Sequence, residues 1–193
     1  MFAVRIHGRG GQGAVTAAEM LSVAAFDEGR HAQAFPTFGS ERTGAPVVSF
    51  CRIDDRPIRL REPVTDPDAL IVQDPTLLHQ VNLFAGLRPD GYLLVNTSGE
   101  LADLGLGEIV ERLPAGHAVA VPATALAREH LGRPLPNAAL LGGFAALTRQ
   151  ISMRSVADAI RERFAGDVGA GNVRAAEAAY QHVREGMRRP ADA

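Results

Sequence analysis

The chain has 193 residues, 46% hydrophobic and 22% charged, with a formal charge of −2. A chain of this size buries roughly 70% of the surface its unfolded form exposes, enough for one full core, and a near-neutral balance without aromatics interleaved among basic residues argues against nucleic acid as a partner. Cys51 is the only cysteine, which excludes an internal disulfide and leaves no room for a cysteine-ligated zinc or iron–sulfur site of the chain's own.

Phe2, Val4 and Ile6 alternate with Ala3, Arg5 and His7 and then stop at four glycines between Gly8 and Gly13, which reads as a strand running into a turn. Ala14, Ala17, Ala18, Leu21, Ala24 and Ala25 recur at helical spacing, so a helix is expected to about Glu28, ended by Gly29. Between the two elements, Gly8-Arg9-Gly10-Gly11-Gln12-Gly13 fits G-x-G-x-x-G in its expected place after a strand and before a helix. Glycines let the backbone approach a phosphate, and the free N–H groups of the first helical turn point at it. A pyrophosphate suits such a loop, from a dinucleotide or from coenzyme A. NAD needs in addition an acid at the end of the second strand. That strand is expected over Arg30 to Phe35, and no carboxylate follows until Glu41, while Asp27 and Glu28 come too early. The bland alternative is a glycine turn that only brings helix and sheet close together.

Gln33 to Pro46, with two prolines and two glycines, reads as a constrained loop. Glu41 and Arg42 at its centre are either an exposed ion pair or place Arg42, with Arg9, opposite bound phosphates. Val47 to Ile53 alternates, and Asp54 to Pro57 reads as the turn of an antiparallel hairpin closed by Ile58 to Arg61. Cys51 is expected to be half-buried and unreactive. Ala69 to Gln73 is an interior strand, then Asp74-Pro75 opens a helix carrying Leu77, Leu78, Val81, Phe84 and Leu87, with a turn to Gly91. Tyr92 to Val95 is another interior strand. Gln73, Asp74, Asn96, Thr97 and Ser98 lie just beyond strand ends, where an open α/β sheet binds ligands; caps and turns explain them equally well.

Leu104 to Leu113 reads as a short helix or an irregular connection, and His117 to Val121 as the last strand. Helices follow over Ala123 to Leu131 and Asn137 to Ile151, then one opened by a capping box at Ser155 to Asp158 and closed by Gly166. In the last, Val173, Ala176, Tyr180, Val183 and Met187 form a seam for packing against the body. Residues 1–187 read as a single domain and 188–193 as a frayed tail.

The six histidines show no ligand spacing, no G-x-S-x-G elbow is present, and the absence of any lysine excludes both a P-loop lysine and a Schiff base. All 20 basic residues are arginines, planar forks suited to carboxylate or phosphate. No stretch approaches the ~18 apolar residues of a membrane span, and the first residues read as a strand rather than a leader, so a cytoplasmic location is expected. A phosphate-cradling loop without nucleophile or metal set suggests a binding subunit whose chemistry lies elsewhere.

Four stretches carry a resemblance: Ile6 to Gly13; Phe38-Gly39-Ser40-Glu41-Arg42-Thr43-Gly44-Ala45-Pro46-Val47; Asp74-Pro75; and Asn137 to Phe144. Together they resemble the gamma subunit or domain of the 2-oxoacid:ferredoxin oxidoreductases, with Ser40 and Thr43 standing where that family commonly has Pro and Arg. Pattern and resemblance imply an α/β fold, a three-layer Rossmann-like domain with a mixed, mostly parallel sheet and a helical C-terminal third. The reaction implied is 2-oxoacid plus coenzyme A plus oxidised acceptor giving acyl-CoA, carbon dioxide and reduced acceptor. By the same resemblance, thiamine diphosphate, magnesium and [4Fe-4S] clusters belong to alpha-, beta- and delta-type partner subunits, with ferredoxin or an NAD-reducing subunit as acceptor. The gamma part would assist assembly and contribute to a shared coenzyme A site, through Gly8, Arg9, Gly10, Gly11, Gln12, Gly13, Gly39, Glu41, Arg42, Thr43 and Asn137, with Asn96 and Thr97 added by position. Two rival readings stand beside it: a stand-alone nicotinamide or flavin dehydrogenase, and a purely structural subunit with an empty loop.

Overall fold

Strand β1 (Phe2–Arg9) sends Val4 and Ile6 to one side and Arg5 and His7 to the other, and all four are buried, as expected of a strand inside a sheet. The computed structural model describes residues 1–37 and 43–188. The other strands are β2 (His31–Pro36), β3 (Pro46–Asp54), β4 (Ala69–Val72), β5 (Tyr92–Asn96) and β6 (Ala118–Val121). They form one sheet in the order β2-β3-β1-β4-β5-β6. β1, β4, β5 and β6 pair in parallel, and β3 runs antiparallel to both β1 and β2, so β3 alone is reversed. β1 runs on into the glycine stretch because Gly8 and Arg9 still pair with Val47 and Pro46.

The helices are α1 (Ala14–Asp27), α2 (Gly107–Arg112), α3 (Ala123–Leu131), α4 (Asn137–Thr148), α5 (Met153–Arg163) and α6 (Gly166–Arg188). α1, α4, α5 and α6 share one core with the Val4, Ile6, Cys51, Ile71 and Leu94 face of the sheet. Every residue of α4 is buried, so it needs no polar face. The α6 seam turns Val173, Ala176 and Val183 inward, while Met187 is exposed. At the crossing, a Cβ on Gly142 would overlap the carbonyl of Ala176. Among the described residues no helix is long and apolar enough to cross a membrane.

The opposite face is covered by α2, two 3₁₀ segments (Pro75–His79 and Ala102–Leu104) and irregular, turn-rich chain, with Leu77, Leu83 and Leu106 packed on Leu70, Val72, Leu93 and Val95. Irregular chain leaves carbonyls without partners, and buried arginines supply the donors. Arg5 donates to the carbonyls of Leu83 at 2.8 Å and Ala85 at 2.6 Å and, more weakly, to those of Val64 and Thr65. Arg52 donates to the carbonyl of Glu62 at 2.6 Å.

Several expectations are corrected. The hairpin is absent: both edges of β3 are taken by β1 and β2, and residues 58–61 form no strand. The helix after Asp74-Pro75 is a 3₁₀ segment of five residues, and beyond it the carbonyls of Leu83 and Ala85 turn inward to Arg5 instead of continuing a helical ladder. The α5 cap is Ser152, whose hydroxyl accepts the Ser155 N–H at 3.1 Å; Ser155 lies inside the helix and donates to Glu28. The helix expected from Asn137 to Ile151 stops at Thr148, where Arg149 takes a left-handed conformation with φ 55°. Cys51 is fully rather than half-buried, and burial pushes its thiol well above the ordinary value. Arg188 closes α6, and the remainder of the expected tail lies outside the described residues.

Two predictions follow from the packing. Gly142→Ala should destabilise the chain by about 1–3 kcal/mol or more, as overpacking at a helix crossing does, measured by urea unfolding. Burial, aided by nearby Arg5, pushes the His7 imidazole down to about 4 from 6.5. His7 therefore stays neutral when folded and takes up a proton when unfolded, so its contribution is full above pH 6.5 and is lost as pH falls toward 4. Unfolding free energies from urea titrations across that range should fall more steeply for the native chain than for His7→Gln, by a difference on the order of 3 kcal/mol at the acid end.

Candidate functional site

β1 has β3 on one side and β4 on the other, and the chain leaves β1 toward β2 through α1 before returning to build β4. The carboxyl end of β1 is thus the switch point where an open α/β sheet forms its crevice. Gly8 to Gly13 lies there.

The loop is held from three sides. The Gly10 N–H donates to the Ala45 carbonyl at 2.9 Å, and the Gly44 N–H to the Gly10 carbonyl at 3.0 Å. Gln12 accepts from the Arg9 N–H at 2.7 Å and donates through Nε2 to Asp74 at 2.7 Å. Arg9 donates to Asp74 at 3.2 Å, to the Thr76 hydroxyl at 2.7 Å and to the Gly44 carbonyl at 3.0 Å. Burial alone would raise the Asp74 carboxyl, but hydrogen bonds from Thr76 and Gln12 and the charge of Arg9 outweigh it and hold Asp74 below the ordinary carboxylate value. Asp74 also caps the turn at Pro75–His79, accepting the Thr76 N–H at 3.0 Å.

Two glycines answer to neighbours: a Cβ on Gly8 would meet Gln73 and one on Gly13 would meet Asn137. Gly13, with φ 77°, precedes α1 and offers no side-chain cap, and the first turn of α1 holds no acid. α4 begins at Asn137 after Pro136, likewise without a side-chain cap or an acid. Contact between Asn137 and Gly13 therefore brings two uncapped helix N-termini to one loop. Both have first-turn N–H groups without a side-chain cap and direct the positive end of a helix dipole toward the loop, α4 from within the core. α3 differs: Asn96 accepts the Thr124 N–H at 3.1 Å while donating to the Gln73 carbonyl and the Thr124 hydroxyl, each at 2.8 Å.

An open cleft of about 310 Å³ lies against the first turn of α1, lined by Arg9, Gly11, Gly13, Val15 and Thr16. The structure thus gathers Gly8, Arg9, Gly10, Gly11, Gln12, Gly13 and Asn137. Thr43 joins them through a bridge to Gly10. Gly39, Glu41 and Arg42 lie outside the described residues. Asn96 is at hand but spends its amide on α3 and β4, and Thr97 opens instead onto a groove between β6 and α6. Arg9, expected opposite phosphates, lines the cleft while its fork is engaged by Asp74, Thr76 and Gly44. Sequence reasoning missed Thr76 and Thr124. Asp-Pro followed by a hydroxyl was a readable cap signal for the first; Thr124 had none, because its partner Asn96 is 28 residues away. Among the described residues no three His, Cys, Asp or Glu side chains converge on a metal-sized site.

Fold and loop define an α/β protein of the Rossmann-like class. The pattern of the family described as pyruvate ferredoxin/flavodoxin oxidoreductase matches residues 3–182. The chain is 47% identical over 182 residues to the pyruvate/ketoisovalerate oxidoreductases common subunit gamma of Thermococcus kodakarensis, covering 93% of this chain and 96% of that one. It is 44% identical over 185 residues to the pyruvate synthase subunit PorC of Methanothermobacter thermautotrophicus, covering 96% and 97%. The crystal structure of the pyruvate oxidoreductase subunit PORC of Thermotoga maritima superposes with a TM-score of 0.78 at 35% identity, covering 93% of this chain and 95% of that one. The chain belongs to the pyruvate ferredoxin/flavodoxin oxidoreductase family, as a gamma-type subunit of a multisubunit 2-oxoacid oxidoreductase.

Removing the hub of the loop should loosen it. Asp74→Ala leaves Arg9, Gln12 and the Pro75–His79 turn without their shared acceptor, and should cost about 1–3 kcal/mol in urea unfolding.

Proposed function

We propose that this subunit supplies the phosphate-binding part of a coenzyme A site shared with its partner subunits, besides contacts for assembly. The observation that carries the reading is the pair of uncapped helix N-termini, α1 and α4, meeting at Gly13 and Asn137 beside an open cleft. Donors of that kind, with no acid in either first turn, favour a phosphate without a counter-cation. Gly8 to Gly13, Thr43 and Asn137 form the cradle, with Gly39, Glu41 and Arg42 from the adjoining loop and Asn96 and Thr97 from the end of β5 as further contributors. Residues 1–187 act as one domain of a cytoplasmic complex. Alpha-, beta- and delta-type partners carry thiamine diphosphate, magnesium and [4Fe-4S] clusters and perform the decarboxylation and electron transfer, delivering electrons to ferredoxin or an NAD-reducing subunit. Coenzyme A supplies the thiol that takes the acyl group; this chain's own residues bind and orient its phosphates and move no proton.

The sheet order weighs against the stand-alone dehydrogenase. β3 lies between β1 and β2, which sets the end of β2 about 10 Å from β1 instead of about 5 Å. A carboxylate at that end would miss a ribose whose phosphates sit on the loop, and β2 ends in Phe35-Pro36.

Thr16, in the first turn of α1, lines the cleft. Thr16→Glu places an acid at the positive end of the helix, which stabilises the free chain slightly but repels a bound phosphate. Calorimetric titration of the assembled complex with coenzyme A should show affinity weakened about tenfold or more, with the thermal midpoint of the free chain unchanged or raised. Unaltered affinity would refute the phosphate assignment.

A further inference from the structure

On the side of the glycine loop toward β5 lies a second open cleft of about 450 Å³, which shares Gly11 with the cleft at α1. Pro75, Pro134, Leu135 and Pro136 give it apolar walls. Its polar side chains can be accounted for one by one. Gln12 is spent on the Arg9 N–H and on Asp74. Asp74 is spent on Arg9, Gln12 and Thr76. Asn96 and Thr124 are spent on each other and on the Gln73 carbonyl.

Gln73 is the exception. It is fully buried, and neither Oε1 nor Nε2 has a hydrogen-bond partner. The side chain lies under the loop, so close that a Cβ on Gly8 would come within 2.7 Å of Oε1. A buried carboxamide with donor and acceptor both orphaned weakens the fold, and an apolar residue of the same shape would serve packing better. A polar group kept against that cost has its partner in the working state.

We propose that Gln73 is a specificity residue of this cleft, pairing with a ligand group that offers a donor and an acceptor side by side: an amide, or the amino-pyrimidine edge of an adenine. The proposal rests on the assignment of phosphates to the glycine loop, because coenzyme A carries both groups within reach of its pyrophosphate. Phosphates at the α1 cleft and the reading group in the β5 cleft make Gly11 the crossing point, where a side chain would obstruct the passage. The carboxamide forms the buried floor, so either the ligand group comes down to it or the side chain swings up. Each exchange replaces an orphan by a hydrogen-bonded pair.

The test is calorimetric titration of the assembled complex, without 2-oxoacid, using coenzyme A and 1,N6-etheno-coenzyme A, whose adenine edge is blocked. Thermal unfolding of the full chain runs alongside. Gln73→Met should bind coenzyme A about tenfold more weakly while the thermal midpoint holds or rises. A penalty that disappears with the etheno compound supports the proposal with adenine as the partner; a penalty that persists supports it with a pantetheine amide. Coenzyme A affinity unchanged by Gln73→Met but weakened by Thr16→Glu overturns the Gln73 assignment and leaves the phosphate reading standing. Affinity changed by neither overturns both. Should Gln73→Met fail to assemble, Gln73→Asn, which keeps the carboxamide one methylene short, decides in its place: weakened binding supports the assignment and unchanged binding overturns it.

Discussion

The Asp74 carboxylate is the contact on which the geometry of the site depends. It stands where β4 ends, accepts from Gln12 and Arg9 of the glycine loop, and caps the turn at Pro75–His79. One anion thereby fastens the loop after β1 to the strand beside it. A glycine-rich loop has much conformational freedom to lose on folding. These charge-assisted bonds, together with the Gly10 bonds to Gly44 and Ala45, hold it open with helix N–H groups unspent. The frame of the loop is thus satisfied within the chain, while the Gln73 carboxamide beneath it is not.

A second constraint runs through the arginines. One face of the sheet is covered by long helices, whose backbone groups satisfy one another. The other is covered mostly by short helical segments, turns and irregular chain, whose carbonyls would be stranded on burial. Arg5 and Arg52 project from β1 and β3 into that layer and answer those carbonyls. In a chain without lysine, forks whose geometry suits phosphates thus serve the backbone. Arg9 stands between the two uses, bound within the frame and still lining the cleft.

Insertion of β3 between β1 and β2 shapes the chemistry open to the fold. It keeps the β1, loop and α1 unit of a nucleotide-binding fold but removes the neighbouring strand end that would hold a ribose. What remains is the glycine loop and α1 without that neighbouring strand end, in a subunit of a larger oxidoreductase.

Local signals were legible where they are short in range. The alternation of β1, the glycine turn, the apolar spacing of α1, the extent of α3 and the apolar runs of β4 and β5 follow from neighbours within a few residues, as does the cap at Asp74-Pro75. The hairpin was misread because alternation says that a strand is half-buried or buried but not which strands flank it; β1 had already claimed the edge assigned to Ile58 to Arg61. The helix after Pro75 was misread because spacing cannot show that Arg5, about 80 residues earlier, draws its carbonyls inward. By itself, then, the sequence determined β1, α1, α3, β4, β5 and the glycine turn between β1 and α1, since these are set by residue type and local spacing. Only the tertiary structure decided the reversed β3, the meeting of α1 and α4 at one loop, the diversion of Asn96 to α3 and the orphaned carboxamide of Gln73. Each of these depends on which distant backbone groups are brought within hydrogen-bonding reach.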